Sequence, residues 1–246
     1  MGLNIKAVIF DFDNTLEYWS SARSKCEKKI LSEVSSEISM SYNRLSSAFL
    51  RIGQECLVSA EKPAMFSRAF WLKKAIESEG RHLSLRRIQH YTEKFWDCVA
   101  GSVRLYSGAI ELLDFLKQKG IKLSLISDSD GLRKYKMVRI SKLGIDSYFD
   151  AIITSDDSGF NKPHPKIFKM ALNKLGVDVD SAVMVGDNPR SDCMGAKKLG
   201  IKTICVLRGS WKRYFSNPDV FKKYAKFIDY KFNNLEEVLS FFKKNL

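Results

Sequence analysis

From about residue 107 to the C-terminal end, short apolar runs rich in β-branched residues alternate with amphipathic segments that stop at glycine. No other feature constrains the fold as much. Ala109 to Lys119 has helical spacing and stops at Gly120; Ile121 to Ile126 reads as a strand; Leu132 to Leu143 is helical and stops at Gly144. Ala151 to Thr154 is a short strand, Pro165 to Leu175 a helix closed by Gly176, and Ala182 to Val185 a strand. Ser191 to Leu199 is a helix closed by Gly200, and Lys202 to Val206 a strand. Glycine ends a helix in the left-handed conformation at least cost, so its recurrence in one register marks repeated βα units and a mostly parallel sheet. A last strand near Lys226 to Asp229 and a helix from Leu235 to Phe242 complete the pattern. The expected class is α/β, a Rossmann-like sheet flanked by helices.

Residues 20 to 100 carry almost no strand signal. Lys25 to Ile38, Tyr42 to Val58, Pro63 to Ser78 and Leu85 to Val99 each place apolar residues at helical spacing, for example Leu45, Phe49 and Ile52. An apolar run, Ala7 to Phe10, precedes them and has to pair with strands about a hundred residues downstream. The helices therefore form an insertion. Expected domains are an α/β core of residues 1–16 and 106–246 and a four-helix cap of residues 17–105, hinged near Leu16 to Ser20 and Arg104 to Gly108.

Hydrophobic residues make up 45% of the chain and charged residues 28%. No apolar stretch approaches the roughly 20 residues of a membrane span, and Met1 to Phe10 does not read as a signal peptide. The five cysteines, Cys26, Cys56, Cys98, Cys193 and Cys205, form no C-x-x-C pair and are expected as reduced thiols of a cytoplasmic protein. His82, His90 and His164 complete no zinc spacing. Forty-one Lys and Arg against 28 Asp and Glu give a net charge of +13, which steers anions. Because the basic residues are scattered, nucleic acid is disfavoured as a partner and a small phosphorylated metabolite is preferred.

Two apolar runs end abruptly in carboxylate, Val8-Ile9-Phe10-Asp11-Phe12-Asp13 and Val183-Met184-Val185-Gly186-Asp187, with Asp192 five residues on. The carboxyl edge of a parallel sheet is where ligands gather. Asp11 can act as a nucleophile once its charge is neutralised, and Asp13 as general acid and then base. Asp11 and Asp187 offer the all-oxygen donors that Mg2+ prefers, and Asp192 can support the metal. Ser127 ends a strand, and Lys162 offers a fixed positive charge for a phosphoryl group. Asp128 is read evenly as the cap of the helix near Leu132 or as a substrate contact, and His164 as a loop residue.

The order DFDNTL, a strand ending in Ser127, NKPHPKIF and VMVGDNPRSDCMGAKKLG resembles the four motifs of the haloacid dehalogenase (HAD) superfamily. It looks closest to the phosphatase branch with a helical cap after motif one, and its core is similar to archaeal-type glyceraldehyde 3-phosphate phosphatases. The resemblance implies a HAD-like core and an aspartyl-phosphate on Asp11, with Asp13 as acid/base. It further implies Mg2+ held by Asp11, the Asp13 carbonyl and Asp187, with Asp192 in support, and phosphoryl oxygens held by Ser127 and Lys162. Asp128 departs from the Asn of many relatives. A 2-haloacid dehalogenase is the alternative, opposed by Asp13; a non-catalytic binding or regulatory protein is the third reading, opposed by the intact set of polar residues.

Overall fold

Strand β1 (Ala7–Phe10) is fully buried on both faces, so it requires cover on both sides and belongs at the centre of a sheet. The computed structural model describes residues 4–58, 62–129, 131–208, 212 and 216–246. In it β1 pairs in parallel with β2 (Lys122–Ser127) on one side and β4 (Ala182–Gly186) on the other. The sheet continues outward through β3 (Ala151–Thr154), β5 (Lys202–Val206) and β6 (Tyr230–Phe232), in the order β3-β2-β1-β4-β5-β6, all neighbours parallel. Alternation along β1 divides the core. Val8 and Phe10 face one apolar cluster with Leu112, Leu116 and Phe242, while Ala7 and Ile9 face another with Ile167, Phe168 and Met184.

The first four helices are α1 (Trp19–Glu37), α2 (Tyr42–Val58), α3 (Arg68–Ser78) and α4 (Leu85–Ala100). They bury an apolar cluster of their own, including Ile30, Val34, Leu45, Trp71, Phe95 and Trp96. α5 (Ala109–Gln118) leads into β2, and after it come α6 (Arg133–Lys142), α7 (Ser155–Ser158), α8 (Pro165–Leu175), α9 (Met194–Lys197), α10 (Pro218–Ala225) and α11 (Leu235–Asn245). No helix among the described residues is long and apolar enough to cross a membrane.

Several boundaries differ from expectation. The third helical segment breaks at Ser67: Pro63–Phe66 is a 3-10 turn, and extended Ser67 caps α3 by accepting from the Phe70 N–H at 3.3 Å. The last strand lies at Tyr230–Phe232 rather than near Lys226 to Asp229. The Phe227 and Ile228 amides close turns onto Tyr224 and Ala225, and Asp229 accepts the Thr203 amide at 2.9 Å. Helix α10 carried no expectation at all. Cys26 and Cys98 are not free thiols but a disulfide, because packing α1 against α4 brings their Cα atoms to 5.8 Å; Cys56, Cys193 and Cys205 are free and buried.

Several contacts join the helical unit to the core. Tyr135 of α6 stacks on Trp96 of α4, with ring centroids 5.2 Å apart, and the Asn161 side chain donates to the Lys62 carbonyl at 2.9 Å.

Candidate active site at the carboxyl edge of the sheet

Phe10 of β1 is paired with Val185 of β4, so the residues that follow these strands emerge side by side. Those residues include Asp11 and Asp187, both buried. Asp192 joins them because the segment after β4 is no ordinary helix start: Pro189–Cys193 is a wide π turn leading into α9. Such turns are common at functional sites. Here the turn folds Asp192 back, so that its Oδ2 accepts the Asn188 amide at 3.0 Å. Gly186 makes this possible, since a Cβ there would lie 2.6 Å from the Asp192 Cγ.

Asp11, Asp187 and Asp192 each place a carboxylate oxygen within 4.8 Å of the others. Lys162 Nζ bridges two of them, donating to Asp11 Oδ1 at 2.6 Å and Asp192 Oδ1 at 2.7 Å. Thr15 Oγ1 donates to Asp11 Oδ2 at 2.7 Å. Asp187 Oδ2 is buried without a hydrogen-bond partner. Three carboxylates thus share one ammonium, and the charge is unbalanced. Burial pushes Asp11 up to about 6, with Lys162 pulling it down and Asp192 pushing it further up. Burial also lifts Asp187 well above the carboxylate range, reinforced by the charges of Asp11 and Asp192. Burial opposes the charge on Lys162, but Asp11 and Asp192 more than reverse the effect and hold it protonated.

Ser127 closes β2, the other neighbour of β1, and is fully buried. The N-cap residue of α6 is Leu132 and not Asp128. Its Oδ1 accepts the Lys162 amide at 2.8 Å, tying the end of β2 to the lysine loop, and burial raises it to about 6 against the pull of Lys162. His164 has a structural use: it caps α8, its Nδ1 accepting the Lys166 amide at 3.3 Å, and it stacks on Phe160.

Asp13 stands apart from the carboxylate cluster. Arg139 Nη1 donates to its Oδ1 at 2.8 Å, and Lys136 Nζ pairs with its Oδ2. Arg139 also pairs with Glu17. Burial opposes ionisation of Asp13, but Arg139 and Lys136 overcome it and hold the carboxyl well below its usual range. Glu17, sealed from solvent beside them, is pushed up to about 8 by burial, with Arg139 pulling down and Asp13 pushing up. Arg139 lies over the rings of Trp19 and Trp96, at 4.4 and 5.6 Å from their centroids.

Sequence reasoning missed Glu17, Lys136 and Arg139. Lys136 and Arg139, three apart, lie on the buried face of α6 with Tyr135 and Ile140, whereas charges on an amphipathic helix ordinarily face water. A usable signal was that α6 has too few apolar residues to form a buried stripe without them.

Residues 8–206 match the family model of the haloacid dehalogenase-like hydrolases. A glyceraldehyde 3-phosphate phosphatase of Pyrococcus furiosus is 28% identical over 241 residues, covering 96% of this chain and 92% of the relative. A ribulose-1,5-bisphosphate 5-phosphatase of Halopiger xanaduensis is 27% identical over 207 residues, covering 80% of this chain and 83% of the relative. A crystal structure of a HAD phosphatase from Thermococcus onnurineus superposes with a TM-score of 0.70 at 26% identity, covering 96% of this chain and 97% of the other. With nearly the whole sheet inside the matched span and its motif carboxylates gathered at one edge, the chain belongs to the haloacid dehalogenase-like hydrolase family.

Proposed function

We propose that the protein is a magnesium-dependent phosphatase that hydrolyses a small phosphorylated metabolite, a sugar phosphate or similar, with glyceraldehyde 3-phosphate a candidate. The observation that carries this reading is the orphaned Asp187 Oδ2, buried among carboxylates of Asp11 and Asp192 that a single lysine only partly neutralises. The donors are all oxygen, which fits Mg2+; Asp11 and Asp187 would hold it together with the Asp13 carbonyl, and Asp192 would support it. When bound, the ion supplies the positive charge that lets one anion approach another.

The side chains supply the rest. Asp11 attacks phosphorus, the phosphorus–oxygen ester bond breaks, and the leaving oxygen takes a proton through Asp13 from Glu17, which burial pushes up to about 8. Water then attacks the aspartyl-phosphate and Asp13 accepts its proton, returning the carboxylate of Asp11. Lys162 and Ser127 hold phosphoryl oxygens throughout, and Asp128 fixes the Lys162 backbone. Helices α1 to α4, residues 17–105, act as the cap that excludes water and selects the substrate, opening on the linkers near Leu16 to Ser20 and Arg104 to Gly108. A cytoplasmic location belongs to the same reading, although the Cys26–Cys98 disulfide is of a kind rare in reducing compartments.

A panel of sugar phosphates, nucleotides and acyl phosphates tests the proposal. Phosphate release should require Mg2+, cease with EDTA, and fall by about 1,000-fold or more in Asp11→Asn. Release from no compound, with Asp11→Asn indistinguishable from the parent, would overturn it.

A further inference from the structure

A cavity of about 350 Å3 lies where the linkers meet Leu207, Arg208 and Lys212. Tyr18, Tyr106, Ser107, Arg208, Asn234 and Glu236 are among its walls, and none of them belongs to the carboxylate cluster. Its size sits at the lower end of small-molecule sites. Tyr18 and Tyr106 come one from each linker, their ring centroids 3.8 Å apart. Two backbone hydrogen bonds join the same linkers, Tyr18 N–H to the Arg104 carbonyl and Tyr106 N–H to the Leu16 carbonyl, each 2.9 Å.

Arg208 is the unusual member of this set. It is only 8% exposed, its guanidinium stacks 3.9 Å from the Tyr106 ring centroid, and its Nη1 is buried with no hydrogen-bond partner. A buried guanidinium nitrogen left unpaired is costly. Glu236 lines the same cavity and its charge acts on Arg208, yet it makes no hydrogen bond to Arg208 Nη1 and leaves that nitrogen unpaired. Lys212 adds a second positive charge to the wall, and helix α11 presents its N-terminal end there through Asn234. An oxyanion would satisfy every one of these features.

We propose that this hinge cavity is a second ligand site, taking a small polar molecule that bears one carboxylate or phosphoryl group. The oxyanion pairs with Arg208 Nη1 and the body of the molecule lies against Tyr18 and Tyr106. Because those rings stand on the two connections between helices α1 to α4 and the sheet, an occupant braces both connections at once. The site is thereby regulatory in position, and its occupancy slows the separation of the two units.

Inorganic phosphate and malonate serve as probes for the two kinds of oxyanion, each titrated calorimetrically into metal-free protein and into Arg208→Gln. Wild type should take up one equivalent of at least one probe that Arg208→Gln does not, with a dissociation constant of about 10 mM or tighter; the probe that binds identifies the group. Hydrogen exchange at the Tyr18 and Tyr106 amides should slow on saturation in wild type and stay unchanged in Arg208→Gln. A wild-type crystal soaked in the binding probe should show the oxyanion within hydrogen-bond reach of Arg208 Nη1, which keeps the test valid if the variant folds poorly. An empty cavity, uptake of neither probe, or equal uptake by wild type and variant would overturn the proposal. All three readouts are independent of turnover, so they stand or fall separately from the phosphatase reading.

Discussion

Arg139 has no exposed surface, and it faces two carboxylates, Asp13 and Glu17. Removing one partner from a buried ionic group leaves the other charges uncompensated, typically at a cost of about 3–5 kcal/mol. Arg139→Ala should therefore destabilise the protein by about that much in urea unfolding. Adding Glu17→Gln should restore at least about 1 kcal/mol, since one of the stranded carboxyls is then gone. Strictly additive losses would show that Arg139 and Glu17 are energetically independent. The contrast with Asp11, Asp187 and Lys162 explains what sequence could reveal of the site. Those residues follow strands or sit in a short, distinctive loop, so position alone announces them. Arg139 and Lys136 are set by which face of α6 meets Asp13, a tertiary contact whose only local mark is the scarcity of apolar residues in that helix.

Among the elements, strands and glycine-closed helices of the core were legible almost to the residue, because both are governed by local periodicity and backbone conformation. Ala151–Thr154, Lys202–Val206 and Pro165–Leu175 fall where expected. The reading failed where a side chain redirected the backbone: at Ser67, which caps a helix inside a helical pattern, and at Pro189–Cys193, where Asp192 widens the turn. The cysteines failed for another reason. Spacing says nothing about which helices pack together, and only the α1–α4 contact makes Cys26 and Cys98 neighbours. Their link spans a sequence separation of 72 residues, a long loop in the unfolded chain. Cys98→Ser should cost about 2–4 kcal/mol, and its melting temperature should no longer respond to reductant. A variant as stable as the oxidised parent would show that the bond contributes nothing to this unit.

At the scale of the molecule, the buried carboxyls set a pH dependence with a definite sign. Asp11 and Asp128 are raised to about 6, Glu17 to about 8, and Asp187 well above its usual value. Between about pH 4 and pH 8 the folded protein thus binds more protons than the unfolded chain, and its stability falls as pH rises. Asp13, held low, acts in the opposite direction only below its normal carboxylate range. Melting temperatures of metal-free protein should therefore decline from about pH 5 to pH 8 at moderate salt, where repulsion from the net charge of +13 is screened. If Mg2+ is held as proposed, it displaces the protons of Asp11 and Asp187, so the increment it adds should grow with pH. A flat or rising metal-free profile would contradict the charge balance described for the cluster.

The position of β1 also bears on how the chain is made. It leaves the ribosome well before its partners Lys122 and Ala182, which are translated after the whole of α1 to α4. Contacts so distant in sequence form slowly, and an apolar strand waiting for them is prone to aggregate. The four helices and their covalent tie are synthesised whole while β1 still waits, so that its enclosure comes after them.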